Sequence, residues 1–274
     1  MEDILKYLYE KMERGRGKIQ IGLELDKSTL ENVIALCITR YPISTDIDIG
    51  SNHTLKELQR CMILFFEKIT STTSIVNIPL VVLSILFQHL NHDHFMNTLG
   101  LGFDLWLAYG TNFELFETFN HKFLTIRLNS LQLLANRHII PTEIGLDCVF
   151  NSAASNYKIN LQHSKFNSVA LSYHYPKSSS GKESVGTVYK NGSKTPFADI
   201  FLVLKCEKNL FCYIQVRHTE KVTSKISETN KAIPITQEEI DEELQNLVQY
   251  DKNLKEQWGN DVELFYIYYK QNCF

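Results

Sequence analysis

Hydrophobic and polar positions change period along the chain, and the changes mark its elements. The run AlaAspIlePheLeuValLeu from Ala198 to Leu204 and the run CysTyrIleGlnValArg from Cys212 to Arg217 are dominated by apolar, aromatic and β-branched residues. That density predicts two strands largely buried on both faces. LysCysGluLysAsn, from Lys205 to Asn209, is a polar turn, so the strands are antiparallel neighbours. Downstream, Thr236 followed by Glu239 has the form of a capping box. Ile240, Leu244, Leu247, Val248 and Leu254 then recur at helical spacing up to Trp258. Gly259 and Asn260 stop that helix, and ValGluLeuPheTyrIleTyrTyr from Val262 to Tyr269 reads as a last strand. Upstream, Phe113, Phe116, Phe119 or Phe123, and Ile126 form an apolar stripe that predicts a helix over 112–127. Lys158 to Gln162 and Ser168 to Tyr175 read as two further strands. The first ninety or so residues differ: helices are expected near 2–14, around 28–40 and around 54–69, ahead of an apolar segment at 78–90.

Composition narrows the class. A chain of 274 residues with 44% hydrophobic content allows one or two domains with a sizeable core. The longest apolar region, Ile78 to Phe87, is too short to span a bilayer, so no membrane is implied. The start, MetGluAspIleLeuLysTyr, is acidic and amphipathic and does not match a secretory signal, which suits a soluble intracellular protein. Six cysteines without a CxxC spacing read as reduced thiols. HisLeuAsnHisAspHis, from His89 to His94, has spacings that cannot set three imidazoles on one helix face and reads as a polar helix exit.

A formal charge of −3 excludes holding nucleic acid by bulk electrostatics, so any such contact needs a local basic patch. Lys221, Lys225 and Lys231 follow Arg217 directly and are the better candidates; Lys11, Arg14, Arg16 and Lys18 form a second group. Lys177 and Lys182 lie in a polar loop from Pro176 to Ser184. That loop contains GlyLysGluSer, but the first glycine of a phosphate loop is missing and Glu183 stands in the hydroxyl position.

The candidate chemistry lies in the hairpin. Side chains alternate along a strand, so Gln215 and Arg217 share a face while Val216 points oppositely. Asp199 opens the first strand and Gln215 and Arg217 close the second, which brings an acid, a second oxygen donor and a cation to one end of the sheet. Mg²⁺ prefers oxygen ligands and keeps several waters, so few protein carboxylates are needed. Such an ion polarises a phosphoryl group and supplies a nucleophilic water.

This arrangement resembles the PD-(D/E)XK nuclease superfamily. The GlnValArg strand with the following HisThr resembles the C-terminal nuclease domain of Crinkler-type effectors of oomycetes and fungi. The resemblance covers roughly residues 105–274. In that family the second strand commonly reads Gln-Val-Lys, and here Arg217 replaces the lysine. An arginine stays protonated and prefers bidentate phosphate contacts, so Arg217 stabilises charge but cannot act as a base.

The resemblance implies an α+β chain: an N-terminal helical, winged-helix-like region over 1–100, then a restriction-endonuclease-like mixed sheet flanked by helices over 101–274. GlyArgGly near residue 15 and the helices after it are similar to the tail of the NTPase module that precedes such nucleases. No complete Walker motif is present, so no ATP hydrolysis is assigned. The implied activity is Mg²⁺-dependent cleavage of DNA. Asp199 binds the metal, Gln215 adds an oxygen, Glu114 or Glu117 from the upstream helix completes the site, and Arg217 neutralises the phosphorane charge. Glu143 and Asp147 are a fallback acid pair. Lys221, Lys225 and Lys182 are the expected backbone contacts on the nucleic acid. Homodimerisation is left open, and the implied location is cytoplasmic or nuclear, with delivery into a host cell as an effector. The competing reading is a catalytically silent domain that uses the same fold to bind nucleic acid or a protein.

Overall fold

The computed structural model describes residues 19–20, 24–25, 27–50, 54–60, 64–78, 113–150, 157–161, 166–171, 185–192, 198–205, 209–218, 237–259 and 262–271. Among these the chain is α+β, with helices and several small antiparallel and mixed sheets. Two compact units interleave along the sequence: residues 1–103 with 126–165, and residues 104–125 with 166–274.

In the first unit, β1 (Ile19–Gln20) and β2 (Glu24–Leu25) pair antiparallel. Helix α1 (Lys27–Thr39) buries Leu30, Val33, Ile34, Ala35, Leu36 and Ile38. After it come β3 (Ile43–Ser44), α2 (Leu55–Arg60), β4 (Phe65–Lys68) and β5 (Thr73–Asn77). The three strands form an antiparallel sheet in the order β3-β5-β4. Thr54 and Glu57 cap α2 reciprocally: the Thr54 amide donates to the Glu57 carboxylate at 2.9 Å, and the Glu57 amide donates back to the Thr54 hydroxyl at 3.4 Å. The helix expected over 54–69 is therefore corrected. It ends by Arg60, and Phe65–Lys68 is a strand, because a short apolar run fits either period and the hairpin with β5 decides it. The Thr73 carbonyl accepts from the Ile69 and Thr70 amides and closes that hairpin.

Four polar residues on α1 are buried, Thr29, Glu31, Asn32 and Thr39, and Arg137 accounts for Glu31 and Asn32. Its guanidinium reaches the Glu31 carboxylate at 2.6 Å and the Asn32 amide oxygen at 2.5 Å, while the Asn32 nitrogen donates to the Ile49 carbonyl at 2.7 Å. Arg137 follows helix α3 (Phe113–Asn136), which runs further than the expected 112–127 because Leu128, Leu131, Leu134 and Ala135 prolong its buried face. Residues of α3 up to Thr125 belong to the second unit and those from Ile126 to the first. Strands β6 (Glu143–Gly145) and β7 (Lys158–Asn160) pair antiparallel around the short α4 (Asp147–Phe150). The expected helix at 2–14, the apolar run from residue 79 on and the histidines at 89–94 lie outside the described residues.

The second unit is built on a mixed five-stranded sheet in the order β12-β11-β10-β9-β8. Its strands are β8 (Asn167–Ala170), β9 (Thr187–Lys190), β10 (Ile200–Lys205), β11 (Asn209–His218) and β12 (Val262–Gln271). β10 runs antiparallel to both neighbours, and Lys205 pairs with Asn209 at the expected hairpin turn. β12 lies parallel to β11, a pairing that needs a crossover, and helix α5 (Gln237–Trp258) supplies it. Phe201, Leu202, Val203, Leu204 and Cys212 are buried, in keeping with strands covered on both faces. Cys37, Cys148 and Cys212 are free thiols.

Helix α5 ends as its sequence indicates. Gly259 has φ 78°, and its amide donates to the Lys255 carbonyl at 2.9 Å. Nothing lies within 4 Å of where a Cβ would stand, so a side chain there meets only the backbone cost of the left-handed conformation. Gly259→Ala is expected to lower stability by about 1 kcal/mol in urea unfolding. An unchanged midpoint would show that the cap contributes nothing.

Candidate functional site

Cross-strand rows define the site's frame. Lys190, Ile200, Ile214 and Ile267 form one row through β9, β10, β11 and β12. One step toward the strand ends, the Asn191 amide donates to the Asp199 carbonyl at 2.8 Å, and Gln215 pairs with Tyr268. Continuing the β10–β11 register by one residue sets Asp199 opposite Gln215. Arg217 stands two positions further along β11, in register with Lys270. The backbone thus brings Asp199, Gln215 and Arg217 to one end of the sheet. The side chains of Gln215, Arg217 and Glu114 lie outside the described part of the structure, as do Lys182, Lys221 and Lys225 entirely.

Asp199 is 7% exposed and sits on a bend. The preceding Ala198 has φ 21°, outside the ordinary range for a side-chain-bearing residue, so the regular pleat ends there. Asn191 fixes this corner: besides its amide bond to Asp199, its side-chain nitrogen donates to the Ala198 carbonyl at 3.2 Å. Strict alternation sends Asp199 and Ile200 to opposite faces.

Of the two acids expected on the upstream helix, Glu117 has a described side chain. Its residue is 7% exposed, and its carboxylate faces the Lys190 ammonium at 3.7 Å. Lys190 also donates to the Thr118 hydroxyl at 2.8 Å. Lys190 is the last residue of β9, next in sequence to Asn191 and diagonal to Asp199. The fallback acids Glu143 and Asp147 are both exposed and belong to the other unit.

One turn along α3, His121 is 1% exposed. Its Nε2 lies 2.9 Å from the Val188 carbonyl and 3.3 Å from the Ser168 hydroxyl. A carbonyl only accepts, so Nε2 carries the proton and donates it, which leaves Nδ1 as a buried acceptor without a partner. That tautomer has a chemical consequence. Nε2 cannot take a proton from Ser168, so this Ser–His contact is not an activated nucleophile. Burial pushes the His121 pKa down from 6.5 to about 4; the bond to Val188 opposes this, while Lys122 and Lys190 add to it.

Reasoning from sequence missed Lys190, Thr118, His121 and Ser168. Each is an ordinary residue in its own segment, and only the pairing of α3 with strands β8 and β9 brings them together. Among the described residues no group of three or more His, Cys, Asp or Glu is placed to hold a metal ion. The donors at the sheet end are oxygens, a set that suits a hard cation such as Mg²⁺ and not a thiolate-seeking one. No helix among the described residues is long and apolar enough to cross a membrane. Comparison with protein-family models, with curated proteins and with solved structures finds no match for this chain.

Proposed function

We propose that the second unit is a nuclease-type domain resembling the PD-(D/E)XK superfamily and the C-terminal domain of Crinkler-type effectors, hydrolysing DNA with Mg²⁺. The observation that carries this reading is the order of elements: helix α3, antiparallel strands β9, β10 and β11, crossover helix α5, then β12 parallel to β11. On that frame the backbone register sets Asp199 beside the GlnValArg segment at one sheet end, which supports the reading. The order α1, β3, α2, β4, β5 with the sheet β3-β5-β4 likewise supports a winged-helix-like reading of the first unit.

In this reading Asp199 and Gln215 hold the ion, and Glu114 or Glu117 from the upstream helix completes the site. Mg²⁺, when bound, supplies Lewis-acid polarisation of the phosphoryl group and a nucleophilic water. The protein's own work is positional. Asn191 holds the Asp199 backbone in place, Lys190 faces the Glu117 carboxylate, and Arg217 offers a fixed positive charge to a phosphate oxygen. A second reading, a catalytically silent module that binds DNA or a protein, is favoured by the identities of Gln215 and Arg217, which offer neither a carboxylate nor a titratable cation on that strand.

The test is incubation of the full chain with supercoiled plasmid and Mg²⁺ or Mn²⁺, beside a chelator control and Asp199→Ala. Metal-dependent cleavage reduced at least about 100-fold in the variant is the expected result. Absent cleavage, or equal cleavage by both proteins, removes the enzyme reading. Retarded migration of DNA without cleavage then favours the binding module.

A further inference from the structure

We propose that helix α5 is a self-association surface: its exposed stripe centred on Leu244 and Val248 pairs antiparallel with the same stripe on a second copy of this chain. The inference is independent of the nuclease reading and does not need it.

Exposure marks the stripe. Val248 is 73% exposed and Leu244 52%, one helical turn apart, whereas the intervening Leu247 is half-buried. Single apolar residues on a surface are ordinary, but two at a spacing of four lie side by side and make one patch. Gln237, Asp241, Lys252 and Lys255 extend it. With Leu244 and Val248 they recur at steps of three and four along α5, and all six are exposed. Residues spaced in that way form a seam along a helix, which is the surface that a second helix packs against.

Charge selects the occupant. The apolar pair has an acid on one side and a base on the other: Asp241 lies three residues before Leu244, and Lys252 four residues after Val248. When two copies lie antiparallel with Leu244 against the other copy's Val248, the symmetry axis passes beside residue 246. Asp241 and Lys252 are then about 8 and 9 Å from that point along the helix, on opposite sides, so each Asp241 meets the other copy's Lys252. The two-fold axis makes the contact twice. Asp251, the acid next to Lys252, is already paired with Lys255 of its own helix. A parallel arrangement would instead set Asp241 on Asp241 and Lys252 on Lys252. Nucleic acid is a poorer occupant, because Glu238, Asp241 and Glu242 are all exposed on the first half of the same helix. A seam with two apolar residues from each copy belongs among small, transient interfaces, so the dimer forms only at high concentration.

Sedimentation equilibrium of the full chain, at concentrations up to about 1 mM, tests the proposal. The expected result is a reversible equilibrium of monomer and dimer. Val248→Asp should weaken it at least about tenfold. Asp241→Lys and Lys252→Asp should each weaken it about tenfold, because either change sets two pairs of like charges across the seam. An equimolar mixture of those two variants restores both ion pairs and should associate as the wild type does, a rescue that only antiparallel copies can give. Circular dichroism verifies that each variant folds, and Val248→Ser, with a loss in the same direction, replaces Val248→Asp if that one does not. A wild-type chain that stays monomeric throughout, or undiminished association when Val248 is replaced, overturns the proposal. So does a mixture that associates no better than its two components.

Discussion

Phe201→Ala is expected to cost about 3–5 kcal/mol, a large part of the stability of an ordinary domain. The side chain is fully buried on the central strand β10, and its ring stacks on Tyr189 of β9 with centroids 4.8 Å apart and planes 13° from parallel. Truncation leaves a cavity bounded by strands that pair on both sides of β10, so the walls cannot close without breaking ladder bonds. The stacked contact, worth about 0.5–1.5 kcal/mol beyond burial, goes with it. Urea unfolding followed by far-ultraviolet circular dichroism measures the loss. Leu244→Ala is the natural control, since Leu244 is 52% exposed and should change stability by no more than about 0.5 kcal/mol. If the two variants lose equally little, β10 is not at the centre of the core. Because Asp199 precedes β10 by one residue, the same substitution should also weaken any cleavage activity before the protein unfolds.

A second large effect belongs to pH. His121 is neutral in the folded protein, with its pKa lowered from 6.5 to about 4, and regains the ordinary value when unfolded. As pH falls, the unfolded chain takes up the proton first. The stabilisation tied to a neutral His121 is therefore complete above about 6.5, declines as pH drops through the interval, and is gone below about 4. A shift of that size corresponds to about 3 kcal/mol. The cause is local: a protonated ring would bring charge into a buried space beside Lys190 and Lys122, with no acceptor for the new proton on Nδ1. Melting temperature against pH reads this directly. His121→Gln can still donate to the Val188 carbonyl but does not titrate, so its acid limb between pH 6.5 and 4 should be flatter than that of the wild type. Parallel curves would assign the acid loss to other groups.

How much of this was legible in the sequence depends on the range over which each element is decided. The β10–β11 hairpin, helix α5 and strand β12 were legible because density, capping residues and turn chemistry all act within a few positions. The left-handed Gly259 is the most local case. Phe65–Lys68 was not legible, since two phenylalanines and two charges satisfy a helix or a strand until β5 selects one. The far end of α3 was missed for a related reason: Leu128 to Asn136 mixes polar and apolar positions, and its buried face is known only once its neighbours are in place. The candidate site divides the same way. The end of the sheet shared by Asp199, Gln215 and Arg217 followed from one turn. The contact between Glu117 and Lys190 joins α3 to β9 across the whole of residues 126–165 of the first unit, and no periodicity announces it.

The passage of α3 through both units bears on how the protein can be dissected. A gene fragment beginning near codon 101 would encode the five-stranded sheet, yet it would also carry residues 126–165 stripped of the companions they have in 1–103, including Glu31 and Asn32 that receive Arg137. The complementary fragment would lack Arg137 and leave those two buried polar groups with no cation. Neither half can be cloned clean by a single cut; an expression plan for either needs the excision of an internal stretch or the whole coding sequence.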